Sequence, residues 1–192
     1  MKYIFCFAFI TVSFSASCQK IYQIGKMEWT IQKPADFKSR IDNFSYSVEN
    51  GNKFINKNFD LGKQSGDDTV LFAIAKNDSV DINIMLASYK NNSNILKYSL
   101  RGYVFLLNDF FKEGYKKQGT AVELNIDSVK ISGIKFYLIK NTIHVNKNYA
   151  YSTCMYISGI SNKEFSVTVT YDNDIDRNKI QNAILNSKFM NL

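Results

Sequence analysis

Between Thr120 and Lys188 apolar and polar positions alternate in four runs and then shift to a helical spacing; this stretch organises the chain. From Glu164 to Tyr171 large apolar side chains alternate with Ser166, Thr168 and Thr170, the two-residue period of a strand. Tyr149, Tyr151, Thr153, Met155 and Ile157 share one face of a second run. Tyr137, Ile139, Ile143 and Val145 share one face of a third, and Val122, Leu124 and Ile126 mark a fourth that turns back near Ser132-Gly133. Setting apolar against apolar predicts a register. A three-residue loop Asn146-Lys147-Asn148 places Val145 opposite Tyr149, Ile143 opposite Tyr151, Ile139 opposite Met155 and Tyr137 opposite Ile157. Across Gly159 to Lys163, Ile157 then meets Phe165, Met155 meets Val167 and Tyr151 meets Tyr171, and a one-residue slip would turn each set outward. The acids Asp172, Asp174 and Asp176 suit a helix N-terminus, which Ile180, Ala183, Ile184 and Ser187 continue at helical spacing.

Earlier in the chain, Gln19–Lys26 reads as a polar connector and Met27–Ile31 as a strand that ends at Pro34, the single proline. Phe37, Ile41, Phe44 and Val48 recur on one helical face, with Gly51 as the stop; Asn50-Gly51 as a hairpin turn is the competing reading. Asn52–Asp68 reads as loop, anchored by Phe54, Ile55, Phe59 and Leu61. Val70, Phe72 and Ile74 mark a strand, Asn77-Asp78 a turn, and Val80, Ile82, Ile84 and Leu86 the returning strand. Leu96, Leu100, Tyr103, Val104, Leu107, Phe110 and Phe111 form the stripe of the longest helix, ending near Gly114. The order β-α-ββ-α-ββββ-α predicts an α+β domain: an antiparallel sheet of six to seven strands flanked by about three helices.

The first residues change the setting. Lys2, the apolar run Ile4–Val12 and the small residues Ser15-Ala16-Ser17 have the layout of a secretory leader too short to span a bilayer. With Cys18 next, the segment resembles a bacterial lipoprotein signal, in which that thiol is acylated; Ser15 departs from the aliphatic residue usual there. This divides the chain into a signal peptide 1–17, a tether 18–26 and one domain 27–192, placed in the bacterial cell envelope, with plain secretion as the alternative. If Cys18 is acylated, Cys154 is left as a lone thiol; if it is not, a Cys18–Cys154 bridge stays open.

At 192 residues, 45% hydrophobic, the chain suits a single domain. Its net charge of +7 becomes +6 without Lys2, and only Arg40, Arg101 and Arg177 are arginine. Nucleic-acid binding leans on clustered charge and bidentate arginine, so scattered lysines argue against it. His144 is the sole histidine, which rules out a multi-His metal site within one chain. In the register above it faces Ala150, four residues from Cys154 or roughly 13 Å along a strand, beyond reach of a Cys/His dyad. Asp172-Asn173-Asp174-Ile175-Asp176 begins like an EF-hand loop but has Arg177 where glycine is required and Ala183 where glutamate is required. Asp67, Asp68 and Glu113 show no acid/base pairing, and Gly62 and Gly66 lack the Gly-Lys-Ser/Thr ending of a phosphate loop. Tyr137, Tyr149, Tyr151 and Tyr156 fit a half-buried sheet better than a ligand groove. No catalytic residue, metal or cofactor is expected.

Taken together, Trp29-Thr30-Ile31-Gln32-Lys33-Pro34, the helix ending at Gly51, the Val70–Tyr89 hairpin, the long helix and the final four strands plus helix resemble the PsbP-like family over about Met27 to Phe189. The resemblance implies an α/β/α sandwich, as in the extrinsic photosystem protein PsbP, a Ran-binding import factor and exported bacterial lipoproteins. It implies an accessory or protein-binding module without catalytic residues. The expected role is therefore a non-catalytic, lipid-anchored or secreted envelope protein that binds another envelope protein or a small ligand, touching the membrane through its anchor. An exported hydrolase using unidentified acids is the alternative.

Overall fold

The computed structural model describes residues 19–39, 69–76, 83–91 and 93–191. Two antiparallel sheets form. The small one has the order β1-β2-β10, from β1 (Gln19–Ile24), β2 (Met27–Gln32) and β10 (Lys188–Asn191). The main one comprises β3 (Lys38–Ser39), β4 (Thr69–Ala75), β5 (Ile84–Lys90), β6 (Ala121–Ile131), β7 (Ile134–Asn146), β8 (Tyr149–Ile160) and β9 (Lys163–Tyr171), in the order β3-β4-β5-β9-β8-β7-β6. Two helices are described, α1 (Ser93–Lys117), broken at Ser99, and α2 (Asp174–Leu185). The chain is α+β and antiparallel, as the patterning predicts, but it has two sheets where one sandwich sheet is expected, and two helices are described where about three are expected.

Several finer expectations are corrected. The Met27–Ile31 strand does not join the main sheet; it is the centre of the small one. Gln19–Ile24 is not a tether but a strand, since Tyr22 and Ile24 turn inward and Gly25, at φ +60°, makes the two-residue turn that sets Ile24 against Met27. Lys38 and Ser39, expected in a helix, pair with Ala75 and Ile74. The remainder of that helix, its Gly51 stop, the loop with Phe54 and Phe59, the Asn77-Asp78 turn, Val80 and Ile82 lie outside the described residues. So does Cys18.

Large side chains from both sheets meet in one core. Trp29, Phe72, Phe165 and Phe189 are buried with ring centroids 4.9 to 6.0 Å apart, and Ile180 and Ile184 of α2 close the same layer. On the opposite face of the main sheet, Tyr103, Val104 and Leu107 of α1 pack on Ile139 and Ile157. The long strands carry core on both faces. In β7, Phe136 and Leu138 face the small sheet, whereas Ile139 and Ile143, of opposite parity, are buried towards the α1 side.

The β7–β8 register is as expected for Ile143↔Tyr151, Ile139↔Met155 and Tyr137↔Ile157. Its tip is not. Asn146 pairs with Tyr149, Val145 is bulged out, and the turn has two residues, because the Asn146 Oδ1 accepts the Asn148 amide at 2.9 Å and holds Asn146 in the ladder. Between β8 and β9 the expected register is off by one: Phe165 pairs with Ser158, Val167 with Tyr156 and Tyr171 with Ser152. Ser161 (φ 49°) and Asn162 (φ 61°) form a tight two-residue turn with both residues left-handed, and that turn sets the alignment.

Candidate functional site

A groove of about 770 Å³ opens where the small sheet, the segment after it and α2 meet. Gln19 and Lys20 open β1, and Gln32 lies directly across the ladder from Gln19. Lys33, Pro34, Ala35, Asp36 and Phe37 follow because proline ends β2 and a turn follows, with the Phe37 amide donating to the Pro34 carbonyl at 3.1 Å. From α2 come Lys179, Asn182, Ala183 and Asn186, whose spacing of three and four puts them on one helical face. Ile180 and Ile184, one position further on, are buried instead, so packing of the helix turns the polar row towards the groove.

The electrostatics are lopsided. Lys20, Lys33 and Lys179 carry positive charge, and the one carboxylate, Asp36, is engaged by the Lys179 ammonium. That hydrogen bond holds the Asp36 carboxyl below the usual carboxylate range. The Lys33 ammonium also lies 5.0 Å from the centre of the Phe72 ring, which ties it to the core beneath. Thr30, on the same wall, is buried, and its hydroxyl has no hydrogen-bond partner among the described residues. The lining offers amides and ammonium groups for binding and no unengaged general base.

A smaller hollow of about 280 Å³ lies beyond the N-terminus of α2, lined by Lys140, Thr142, Ser152, Tyr171, Asp174 and Arg177 among others. Its cations are already paired, Lys140 with Asp127 at 2.8 Å and Arg177 with Asp174 at 3.0 Å. The Asp172–Asp176 cluster beside it is structural. Asn173 caps the helix by accepting the Asp176 amide at 2.9 Å, and the fully buried Asp176 carboxylate receives Lys76 through both oxygens at 2.8 Å. Burial pushes the Asp176 carboxyl up, but hydrogen bonds from Lys76 and Asn173 together with the Lys76 charge outweigh it, so its pKa falls below the ordinary 3.8. Among the described residues no group of three or more His, Cys, Asp or Glu is placed to hold a metal.

The structure separates the residues that a nucleophilic site would need. His144 faces Ala150, is exposed, and has its Nε2 3.5 Å from a Glu123 carboxylate oxygen. Cys154 lies opposite Lys140 in the ladder, fully buried and unpaired, and burial pushes its thiol up to about 12, far from a reactive thiolate. Tyr156 is core, Tyr137 and Tyr151 are half-buried and Tyr149 sits at an exposed hairpin tip, so the four tyrosines line no common groove. No described helix is long and apolar enough to cross a membrane. No known family model matches the chain, and no curated protein does either.

The groove residues carry no sequence signal. Gln19 and Lys20 sit in a stretch that reads as connector, and Lys179, Asn182 and Asn186 read as the solvent face of a helix; only the fold brings them together.

Proposed function

We infer that this is a non-catalytic envelope protein, lipid-anchored through Cys18, whose groove between the small sheet and α2 is its binding site. The observation that carries the reading is the groove's lining: amides and three lysines, with its single carboxylate committed to Lys179. Such a surface presents donors to a polar or anionic partner and lacks a free base for hydrolysis. The leader-like first 17 residues followed by Cys18 support export and acylation. The element order supports a place among PsbP-like α/β/α sandwiches, with the small sheet and α2 forming one outer layer and α1 forming the other.

Mass spectrometry of the N-terminal peptide from the cell-expressed protein tests the anchor. A diacylglyceryl adduct on Cys18 is expected, and an unmodified Cys18 would overturn it. Loss of partner co-purification on Asn182→Ala/Asn186→Ala, with the fold unchanged by circular dichroism, tests the groove. A second reading, an exported hydrolase, gains no residue from this geometry.

A further inference from the structure

Resting on the lipid-anchored reading above, we propose that the groove's partner is the anionic headgroup layer of the membrane that holds the anchor, so that the domain lies against the bilayer through its small sheet. Three observations bear on this end of the small sheet.

The first is the absence of slack. Gln19, joined to Cys18 by one peptide bond, is already hydrogen-bonded into the ladder opposite Gln32. Consecutive Cα atoms are about 3.8 Å apart, so acyl chains on Cys18 would hold the start of β1 within a side chain's length of the interface. The second is charge. Lys20, Lys33 and Lys179 line the groove, and Asp36 is the one carboxylate among its described lining residues. Lysine is a compact charge on a flexible stem, which suits a laterally mobile layer of phosphates, whereas a fixed phosphate ligand favours arginine's bidentate fork.

The third is exposed apolar surface on the same sheet. Ile21, 62% exposed, shares its strand face with Gln19 and lies opposite Thr30, which pairs in turn with Lys188. Met190, 50% exposed, lies opposite Glu28 on that outer face. Two exposed apolar side chains with Lys188 and Glu28 beside them, close to an acylation point, make a mixed surface of the kind found at headgroup depth.

The test uses the full mature chain with Cys18→Ser, which removes the acyl chains and leaves the domain intact, in vesicle co-sedimentation. Vesicles of phosphatidylcholine with about 30% phosphatidylglycerol are compared with pure phosphatidylcholine at about 0.1 M salt, where surface charge is still felt. Preferential binding to the anionic vesicles is expected. Lys20→Gln and Lys33→Gln should each weaken it about fivefold, and together about 25-fold. Lys112→Gln/Lys116→Gln on α1 should leave it unchanged. Equal binding to both vesicle types, or an equal loss from the α1 pair, would overturn the proposal. So would displacement by millimolar inorganic phosphate at fixed ionic strength, which would mark a site for a soluble anion. The two readings fail separately: acylated Cys18 without anionic preference removes the docking face and keeps the anchor, whereas unmodified Cys18 with anionic preference does the reverse.

Discussion

The two faces of the main sheet are sealed by different chemistry. Towards the small sheet, Phe72, Phe136 and Phe165 interlock with Trp29 and Phe189 in stacked and edge-on contacts, a layer of large rings. Towards α1, Tyr103, Val104 and Leu107 pack on Ile139 and Ile157, and the face becomes hydroxyl-lined further across, where Ser88 faces Ser166 at 3.2 Å. The ring layer has no room for adjustment, because close-packed aromatic side chains fix one another's positions. The other face admits polar groups, so it places fewer demands on sequence. Stability should therefore be concentrated on the side that also carries the groove.

Substitutions can break or sharpen this contrast. The largest effect is expected from Phe165→Ala, which removes a fully buried ring touching Trp29, Phe136 and Phe189 and should cost about 3 to 5 kcal/mol in chemical denaturation. Next comes Lys76→Met, which strands the buried Asp176 carboxylate and should cost about 3 kcal/mol near neutral pH. Because the folded-state pKa of Asp176 is depressed, the stability due to this pair is fully present above pH 4 and is lost as pH falls through the lowered value. The stability difference between wild type and Lys76→Met should accordingly shrink in acid; a constant gap from pH 7 down to pH 2 would show that the loss does not come from the ionised Asp176 carboxylate.

A smaller loss, about 1 to 3 kcal/mol, is expected from Gly25→Ala. A methyl there would come within 2.7 Å of the Ser161 Cβ at a left-handed φ of +60°, prising the small sheet's turn away from the β8–β9 turn. A pair of neighbours, one of them with the smallest expected effect, separates the faces directly. Val167→Thr puts a hydroxyl among the rings and should cost about 1 to 3 kcal/mol, whereas Thr168→Val on the α1 side should stay within about 0.5 kcal/mol. Equal losses from the two neighbours would erase the distinction.

The same contrast explains which parts of the fold could be read from the chain. In β7 the apolar parity is strong from Tyr137 to Ile143, and the pairing with β8 follows from it. In β8 both parities are apolar, Cys154 and Tyr156 on one side and Met155 and Ile157 on the other, because both faces of that strand are covered. Alternation cannot choose between two buried faces, so the backbone of Ser161-Asn162 decides, and a slip that would expose a one-sided sheet instead exchanges one core for the other. The strand Gln19–Ile24 escaped notice because half its residues are polar and Ile21 points to solvent. Lys188–Asn191 is too short to show a period. The Lys76–Asp176 pair joins positions 100 residues apart, a contact with no local signature. The groove is illegible for the same reason, being made of common polar residues that acquire meaning only by meeting.

The position of β2 sets an order of assembly. Its two neighbours come from far apart in the chain: β1 is joined to it by a tight turn, but Thr30 must also find Lys188. The meander from β6 to β9 can zip through adjacent hairpins as it emerges, yet the sheet that caps its ring-bearing face stays unfinished until Lys188–Asn191 arrives, since loop closure over such a separation is slow.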